Sequence, residues 1–371
     1  MTISGQDNRK PVVAVLTSSD PFRKFTGNRA NFQDILKTGK QMGHTVYIVT
    51  TKDLKLTSEQ ILGYTYNLEQ KRWHTQWFPL PDIVYNRIPS REDELDIVIR
   101  KKIDECMKHP NIHIFNPFYF NKWKLFSWLK SSNQTEGFVP ETKRLNSRKG
   151  LILMLIRYPD LYLKPESGKA GKGIMKLSCN PDDPKPYKLI IPLTDRNIVY
   201  KTSKLPLLWK RVYKETRGTP YIVQQGITLN KFEGKSFDLR ALIQKTGRGN
   251  WSVTGIGARL AGKRRITTHV PQGGSVEDPQ QMLLPAFGEE RVAEILAQAR
   301  ADVITLARQI ERASGHLLGE MSMDLGVDDQ GKIWFFEANA KPMKFDEPQI
   351  RQKSLQRLFQ FSQYLTRLGK A

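Results

Sequence analysis

The chain of 371 residues has only two cysteines, Cys106 and Cys179, and six histidines. Two thiols exclude a disulfide framework and a cysteine-based zinc site, and such usage predicts a reducing cytoplasm. No apolar run nears the roughly 18 residues that span a bilayer, so no transmembrane segment is expected. Met1 to Lys10 is polar and lacks an apolar h-region, which predicts no cleaved secretory signal. Repeats at a period of about 20 to 50 residues and low-complexity tracts are also missing, which argues against a solenoid. Acidic side chains are scarce: 37 Asp and Glu stand against 59 Lys and Arg, for a net charge of +22. That excess attracts anions such as nucleotide, nucleic acid, anionic lipid or acidic polypeptide. The bland alternative is a basic soluble surface, because the lysines are spread along the chain rather than bunched in one tail.

What is present suffices for a real core. At roughly 150 residues per domain the length predicts two to three lobes. The first third reads as alternating strands and helices. Residues 12–16 form an apolar run fit for a buried strand, residues 31–42 a helix ended by Gly43, and residues 45–49 another strand. This βαβ order implies a parallel sheet. Further strands are expected at 83–85 and 112–115, with one charged helix at 92–107 between them and a hairpin within 64–78. Asn116-Pro117 closes the lobe. An amphipathic helix at 122–129, a helical run at 151–156 and strands at 161–164 and 174–177 follow. Residues 181–206 are rich in proline and read as irregular or edge structure. Strands at 221–225, 237–244 and 251–260, a long helix at 289–313, a hairpin within 321–339 and a last helix at 348–368 complete the chain. The expected domains are 1–118, 119–226 and 227–371, in a mixed α/β and α+β architecture.

Three segments carry candidate chemistry. In the 321–339 hairpin, Asp329-Gln330-Gly331 is turn chemistry between two apolar strands. If Asp328 pairs with Lys332, Asp324 lies opposite Phe336. If Asp328 pairs with Gly331, it lies opposite Phe335, and Asp324, Glu337 and Asn339 then share one face by the period-two alternation of strands. Three oxygen-bearing side chains on one face suit a hard divalent cation that shares its ligands with phosphates. The bland alternative, a solvated sheet face, is disfavoured because Glu337 and Asn339 follow the apolar run Ile333 to Phe336, where unpaired carboxylates are costly. The second segment places Gly168, Gly171 and Gly173 between two strands, with Lys164 leading in and Lys169 and Lys172 in the turn. Its backbone N–H groups and lysines can wrap phosphate oxygens. It is not a Walker A loop, since Ile174 and Met175 follow Gly173, nor a dinucleotide fingerprint, since a strand rather than a helix follows. Alone it is equally an ordinary flexible turn. The third, Tyr221 to Ile227, is an apolar strand ending in Gln224, Gln225 and Gly226. Such an edge can present backbone groups to an adenine ring and amides to a ribose; alone, it is an edge strand.

Taken in order, these segments resemble the ATP-grasp superfamily, and more closely its YheC/YheD branch of endospore-coat-associated proteins. The phrases that prompt this are Val84-Tyr-Asn-Arg-Ile-Pro89, Phe115-Asn-Pro117, Lys122-Trp-Lys124, Leu163-Lys-Pro165, Phe237-Asp-Leu-Arg240, Thr267-Thr-His-Val-Pro-Gln-Gly-Gly274 and Phe336-Glu-Ala-Asn-Ala-Lys-Pro342. The resemblance runs from about Val12 to Leu365. It implies a Rossmann-like N-terminal lobe followed by two α+β lobes that hold ATP between them, with the glycine-rich hairpin as a lid. It further implies that Lys124, or alternatively Lys122, reaches an ATP phosphate, as does Lys164. Gln224, Gln225 and Ile227 would hold adenine and ribose, and Asp324, Glu337 and Asn339 would bind magnesium. Arg240 and Arg259 would stabilise charge on the transferred phosphoryl group or acyl-phosphate; the structural alternative for both is a strand-face salt bridge. One departure is His269, near the position before Gly273-Gly274 where many members carry an Asn by the phosphates.

The implied activity is a magnesium- and ATP-dependent carboxylate–amine ligase working through an acyl-phosphate. The chain shows no Cys or Ser nucleophile with an evident His partner, and such a reaction needs none. The charge suits an acidic peptide or protein as substrate, and Arg87 is a candidate for holding its carboxylate, with a structural arginine as the alternative. Two rivals stand beside this reading: a spore-coat protein that binds ATP without catalysis, and a nucleic-acid binder, which lacks a reading motif or a dense basic stripe.

Overall fold

The computed structural model of the chain describes residues 9–168, 171–193, 196–260 and 275–369. Its strands form three large sheets.

The first sheet has the spatial order Arg72–Pro79, Gln60–Asn67, Val46–Thr50, Val13–Thr17, Ile83–Asn86, His113–Phe115. The last four of these strands are parallel, and the 60–79 hairpin adds the antiparallel pair. Val13–Thr17 and Val46–Thr50 are buried along their whole length, as near-continuous apolar strands in a doubly covered sheet must be. The helix Arg29–Gln41 starts where the Asn28 side chain accepts a hydrogen bond from the Asn31 amide. The single helix expected at 92–107 is instead two, Arg91–Leu95 and Ile97–Lys108. Asp96 adopts an extended conformation between them and its carboxylate caps the amides of Val98 and Ile99. The last helix, Pro348–Leu368, returns to this lobe, where Leu358, Phe359, Phe361 and Leu365 share a core with Phe32 and Ile35. Gly39 allows that approach: a Cβ there would lie 2.6 Å from the Phe359 ring.

The second sheet is antiparallel, in the order Asn197–Thr202, Tyr187–Pro192, Met175–Cys179, Asp160–Pro165, Tyr221–Gln225, Thr142–Arg144. One face, with Leu161, Leu163, Leu177, Leu189 and Val223, packs under the helices Arg148–Arg157 and Leu205–Thr216. The proline-rich 181–206 stretch holds the outer strand pair of this sheet, in line with the edge structure expected there, and leads into a helix whose first turn takes Pro206, where its missing N–H costs nothing. One expectation is corrected. Tyr221–Gln225 is not an edge strand, because Thr142–Arg144 pairs with it.

The third sheet runs Ser275–Glu277, Trp251–Leu260, Lys235–Lys245, Glu320–Val327, Ile333–Asn339. Leu239, Ala241, Ile243, Met321, Met323 and Leu325 face a core shared with Val292, Ile295, Val303, Leu306 and Ile310 of the helix Pro279–Ser314. That helix kinks at Gly288, whose φ of 70° is non-helical, so the start expected at 289 falls on the kink. Alternation leaves Asp238, Arg240, Leu242 and Gln244 on the sheet's other face, beside Glu320, Ser322 and Asp324 of the neighbouring strand.

Candidate functional site

The 320–339 hairpin combines features of both expected registers. The Asp328 amide donates to the Lys332 carbonyl at 3.1 Å, as in the first. A bulge at Phe336 then sets Leu325 opposite Phe335 but Asp324 opposite Glu337. The extra residue reverses the parity of the strand. Asp324, Glu337 and Asn339 therefore share one face, with Ser322 opposite Asn339.

Each carboxylate meets a cation. Glu337 Oε1 accepts a hydrogen bond from Lys122 Nζ at 2.6 Å. Asp324 Oδ2 lies 2.9 Å from a terminal nitrogen of Arg259, and the same guanidinium forks onto both oxygens of Asp238 at 3.0 Å. Burial works against the Arg259 charge, but Asp324 and Asp238 outweigh it and push its pKa up. Arg240, directly across the strands from Asp324, lays its guanidinium on the Phe345 ring at 4.8 Å. Its buried Nε has no hydrogen-bond partner among the described residues. Burial pulls its pKa down, and Arg259 adds to that against the pull of Asp324.

The second sheet forms the opposite wall. Lys164 Nζ donates to Gln224 Oε1 at 2.6 Å and lies 5.8 and 5.5 Å from the rings of Tyr162 and Phe336. Burial, and then the charge of Lys122, draw the Lys164 pKa down to about 8 against Glu337 and Asp324. Between the walls lies a cavity of about 140 Å³. Ile174, Ile227, Leu229 and Phe336 give it apolar surface, while Lys164, Asp238, Asp324 and Glu337 give it charge.

The remaining sequence candidates distribute unevenly. Gln224 and Gln225 line the cavity, but their side chains also serve the sheet: Gln224 donates to Thr142 Oγ1 at 2.9 Å, and Gln225 accepts from the Glu141 amide at 3.1 Å. Gly168, Gly171 and Gly173 form the turn beside it. Gly171 and Gly173 have φ of 72° and 76°, and a Cβ at Gly173 would lie 2.8 Å from the Tyr221 hydroxyl. Lys172 is exposed on this turn, and Lys169 lies outside the described residues, as do His269, Gly273 and Gly274. Lys124 points outward from its helix and its charge bears on His316, while Lys122 turns inward to Glu337. Two residues along a helix are about 200° apart, so only one of the pair can face the cavity. Arg87 lies elsewhere. It pairs with Glu320 at 3.4 Å, donates to the Pro342 carbonyl at 3.0 Å, and lines a separate cavity of about 30 Å³ between the first and third sheets.

Asp238, Tyr162 and Phe336 were not singled out from the sequence. For Asp238 a signal existed, since alternation puts it on the same strand face as Arg240. Phe336 depends on the bulge, which no local pattern announces. Asp324, Glu337 and Asn339 offer hard oxygen donors only, and among the described residues no three His, Cys, Asp or Glu side chains cluster as a metal site. Two carboxylates and an amide fit a magnesium ion whose remaining ligands come from phosphates and water.

A family model described as YheC/D-like ATP-grasp matches residues 111–365. The chain belongs to this family. The endospore coat-associated protein YheD of Bacillus subtilis (strain 168) is 27% identical over 365 residues, covering 96% of this chain and 79% of YheD. YheC of the same organism is 19% identical over 315 residues, covering 83% and 84%. Among solved structures, the ATP-grasp ligase PsnB, in complex with a phosphomimetic precursor variant, Mg and ADP, superposes with a TM-score of 0.52. It is 12% identical, and the match covers 97% of this chain and all of that one. N5-carboxyaminoimidazole synthetase from Staphylococcus aureus gives 0.51 at 10% identity, over 94% of this chain and 77% of that one. These likenesses establish the ATP-grasp fold. Among the described residues no helix is long and apolar enough to cross a membrane.

Proposed function

We propose that this YheC/D-like ATP-grasp chain is a magnesium- and ATP-dependent ligase that joins a carboxylate to an amine through an acyl-phosphate. The observation that carries the reading is the direct opposition of Asp324 and Glu337 across the third sheet, facing Lys164 and Gln224 of the second sheet over one cavity. The apolar residues Ile174, Ile227 and Leu229 would enclose a nucleobase, and Lys164 and Lys122 the phosphates. Asp324, Glu337 and Asn339 would hold the magnesium, which supplies neutralisation of phosphate charge. The backbone of the Gly168–Gly173 turn would close over the phosphates.

In the first step a carboxylate oxygen of the substrate bonds to the γ-phosphorus, the bond to the β,γ-bridging oxygen breaks, and ADP leaves. In the second an amine nitrogen bonds to the acyl carbon and loses a proton, and inorganic phosphate departs with the C–O electron pair. Neither step needs a covalent protein nucleophile, only position and fixed charge. Arg240 is the group we assign to the acyl-phosphate oxygens, since its Nε is unused by the described residues. Arg259 acts through the carboxylates it holds, Asp238 and Asp324. Arg87, tied to Glu320, is assigned to the joint between the first and third sheets rather than to substrate. A place on a spore coat rests on the names of YheD and YheC.

The test is product formation. Purified protein given ATP, magnesium, acidic peptides and a panel of amines releases ADP and phosphate and yields a peptide whose mass has grown by the amine less one water. Turnover that survives Glu337→Ala at the native rate rejects the site.

A further inference from the structure

The excess positive charge is not evenly shared. Residues 119–226, the stretch that builds the second sheet, hold 21 Lys and Arg against 8 Asp and Glu, whereas residues 227–371 hold 21 against 16. Part of that charge stands on one open surface. Cross-strand partners share a face, so the row Gln224, Tyr162, Lys176, Ile190, Val199 runs continuously from the cavity to the sheet's rim. The next row is Asp160, Ser178, Lys188, Lys201. The helices Arg148–Arg157 and Leu205–Thr216 cover the other face, and among the described residues no element pairs with the outer side of Asn197–Thr202. Val199 is 53% exposed there. Lys176 and Lys201 are tethered only to Asp160 and Asp183, at 3.3 and 2.8 Å, and Lys188 makes no ion pair among the described residues.

We propose that this rim is the docking surface of an acidic polypeptide, which adds as an extended strand along Asn197–Thr202. Its carboxylates meet Lys188 and Lys201, its apolar side chains cover Val199 and Ile190, and its main chain satisfies the open edge. Aliphatic side chains interleaved with lysines, along a strand edge that no described element pairs with, fit a polypeptide better than a nucleic acid, whose phosphates use neither. The proposal rests on the ligase reading for its purpose: the docked chain would deliver one of its own carboxylates to the cavity. The added strand and the Asp160–Pro165 strand that carries Lys164 are four strand spacings apart, about 19 Å at ~4.8 Å each. At ~3.3 Å per extended residue, about six residues separate the docked segment from the carboxylate that reacts.

The experiment measures docking apart from chemistry. A fluorescein-labelled 12-residue peptide of three Glu-Thr-Val-Thr repeats, which sets Glu and Val in turn along one face of an extended strand, is titrated with the full chain, without ATP, and followed by anisotropy. The same peptide with Gln for Glu and a single-stranded oligonucleotide of equal length serve as comparisons. The expected result is binding of the Glu/Val peptide that weakens with salt, weakens at least tenfold in Lys188→Glu/Lys201→Glu, and exceeds both comparisons. The double variant keeps its thermal shift with Mg-ATP, since neither lysine lines the cavity. Unchanged peptide affinity in that variant overturns the docking surface. Tighter binding of the oligonucleotide, lost in the same variant, assigns the surface to nucleic acid and overturns it as well. Loss of turnover in Glu337→Ala with peptide affinity intact separates a failure of docking from a failure of the ligase reading.

Discussion

The polar face of the third sheet passes two cavities, and they differ in kind. Near one end, Asp238, Asp324 and Glu337 border an open space of about 140 Å³ with Lys164 across it, and Arg259 holds both aspartates. Near the other, Gln244 and Glu320 meet Tyr85 and Arg87 of the first sheet around only about 30 Å³. Both contain a carboxylate beside an arginine. In the small cavity Glu320 takes hydrogen bonds from Tyr85, Arg87 and Gln244, so its charge is spent on joining two sheets. In the large one the charges face room that a ligand can fill. A buried ion pair alone therefore does not mark a site; open volume beside it does.

The comparison can be broken by substitution. The largest effect is expected from Glu320→Ala, which leaves Arg87 buried without its partner. Unfolding by urea should show a loss of about 3 kcal/mol, in the range for breaking a buried pair. A loss under about 1 kcal/mol would remove the distinction between joint and site. Next, Glu337→Gln, which leaves Lys122 an acceptor, should lower magnesium-dependent ADP release about 100-fold, with a melting temperature close to that of the parent.

The pH dependence is a third probe. Lys164 titrates near 8 in the folded chain, below the ordinary lysine value of 10.5. Between those values the unfolded chain binds the extra proton, so this group makes stability rise with pH across the window and contributes no slope below it. ATP affinity should run the opposite way and fall as pH passes 8, because the phosphates lose a cation. Calorimetric titration with ATP from pH 7 to 9 checks this, and Lys164→Met should flatten the dependence; a slope equal to the parent's in that variant refutes the assignment. The smallest effect is expected from Lys124→Ala, which should leave ADP release within about twofold, since the residue faces solvent.

Much of the site was legible because its signals are local. Turn chemistry at Asp329 to Gly331 and strand alternation placed Asp324, Glu337 and Asn339 on a common face. The route differed, because the bulge at Phe336 is set by how two strands pack and not by either strand alone. Lys124 was preferred to Lys122, whereas Lys122 is the one that turns inward, since the phase of a helix depends on what it packs against. The three-residue strand Thr142–Arg144 is too short to leave a periodic trace, so Tyr221–Gln225 read as an edge. Arg87 resembled a substrate ligand until Glu320, 233 positions away, was seen to hold it.

The pairings of Lys122 with Glu337 and of Arg259 with Asp324 bear on the order of loading. Both carboxylates already have counter-ions, so a lone divalent ion would meet little uncompensated negative potential in the cleft. A triphosphate brings that potential with it and offers Lys122 another anion to embrace. Metal and nucleotide should accordingly arrive as one species, and free magnesium should saturate the protein only when nucleotide is also present.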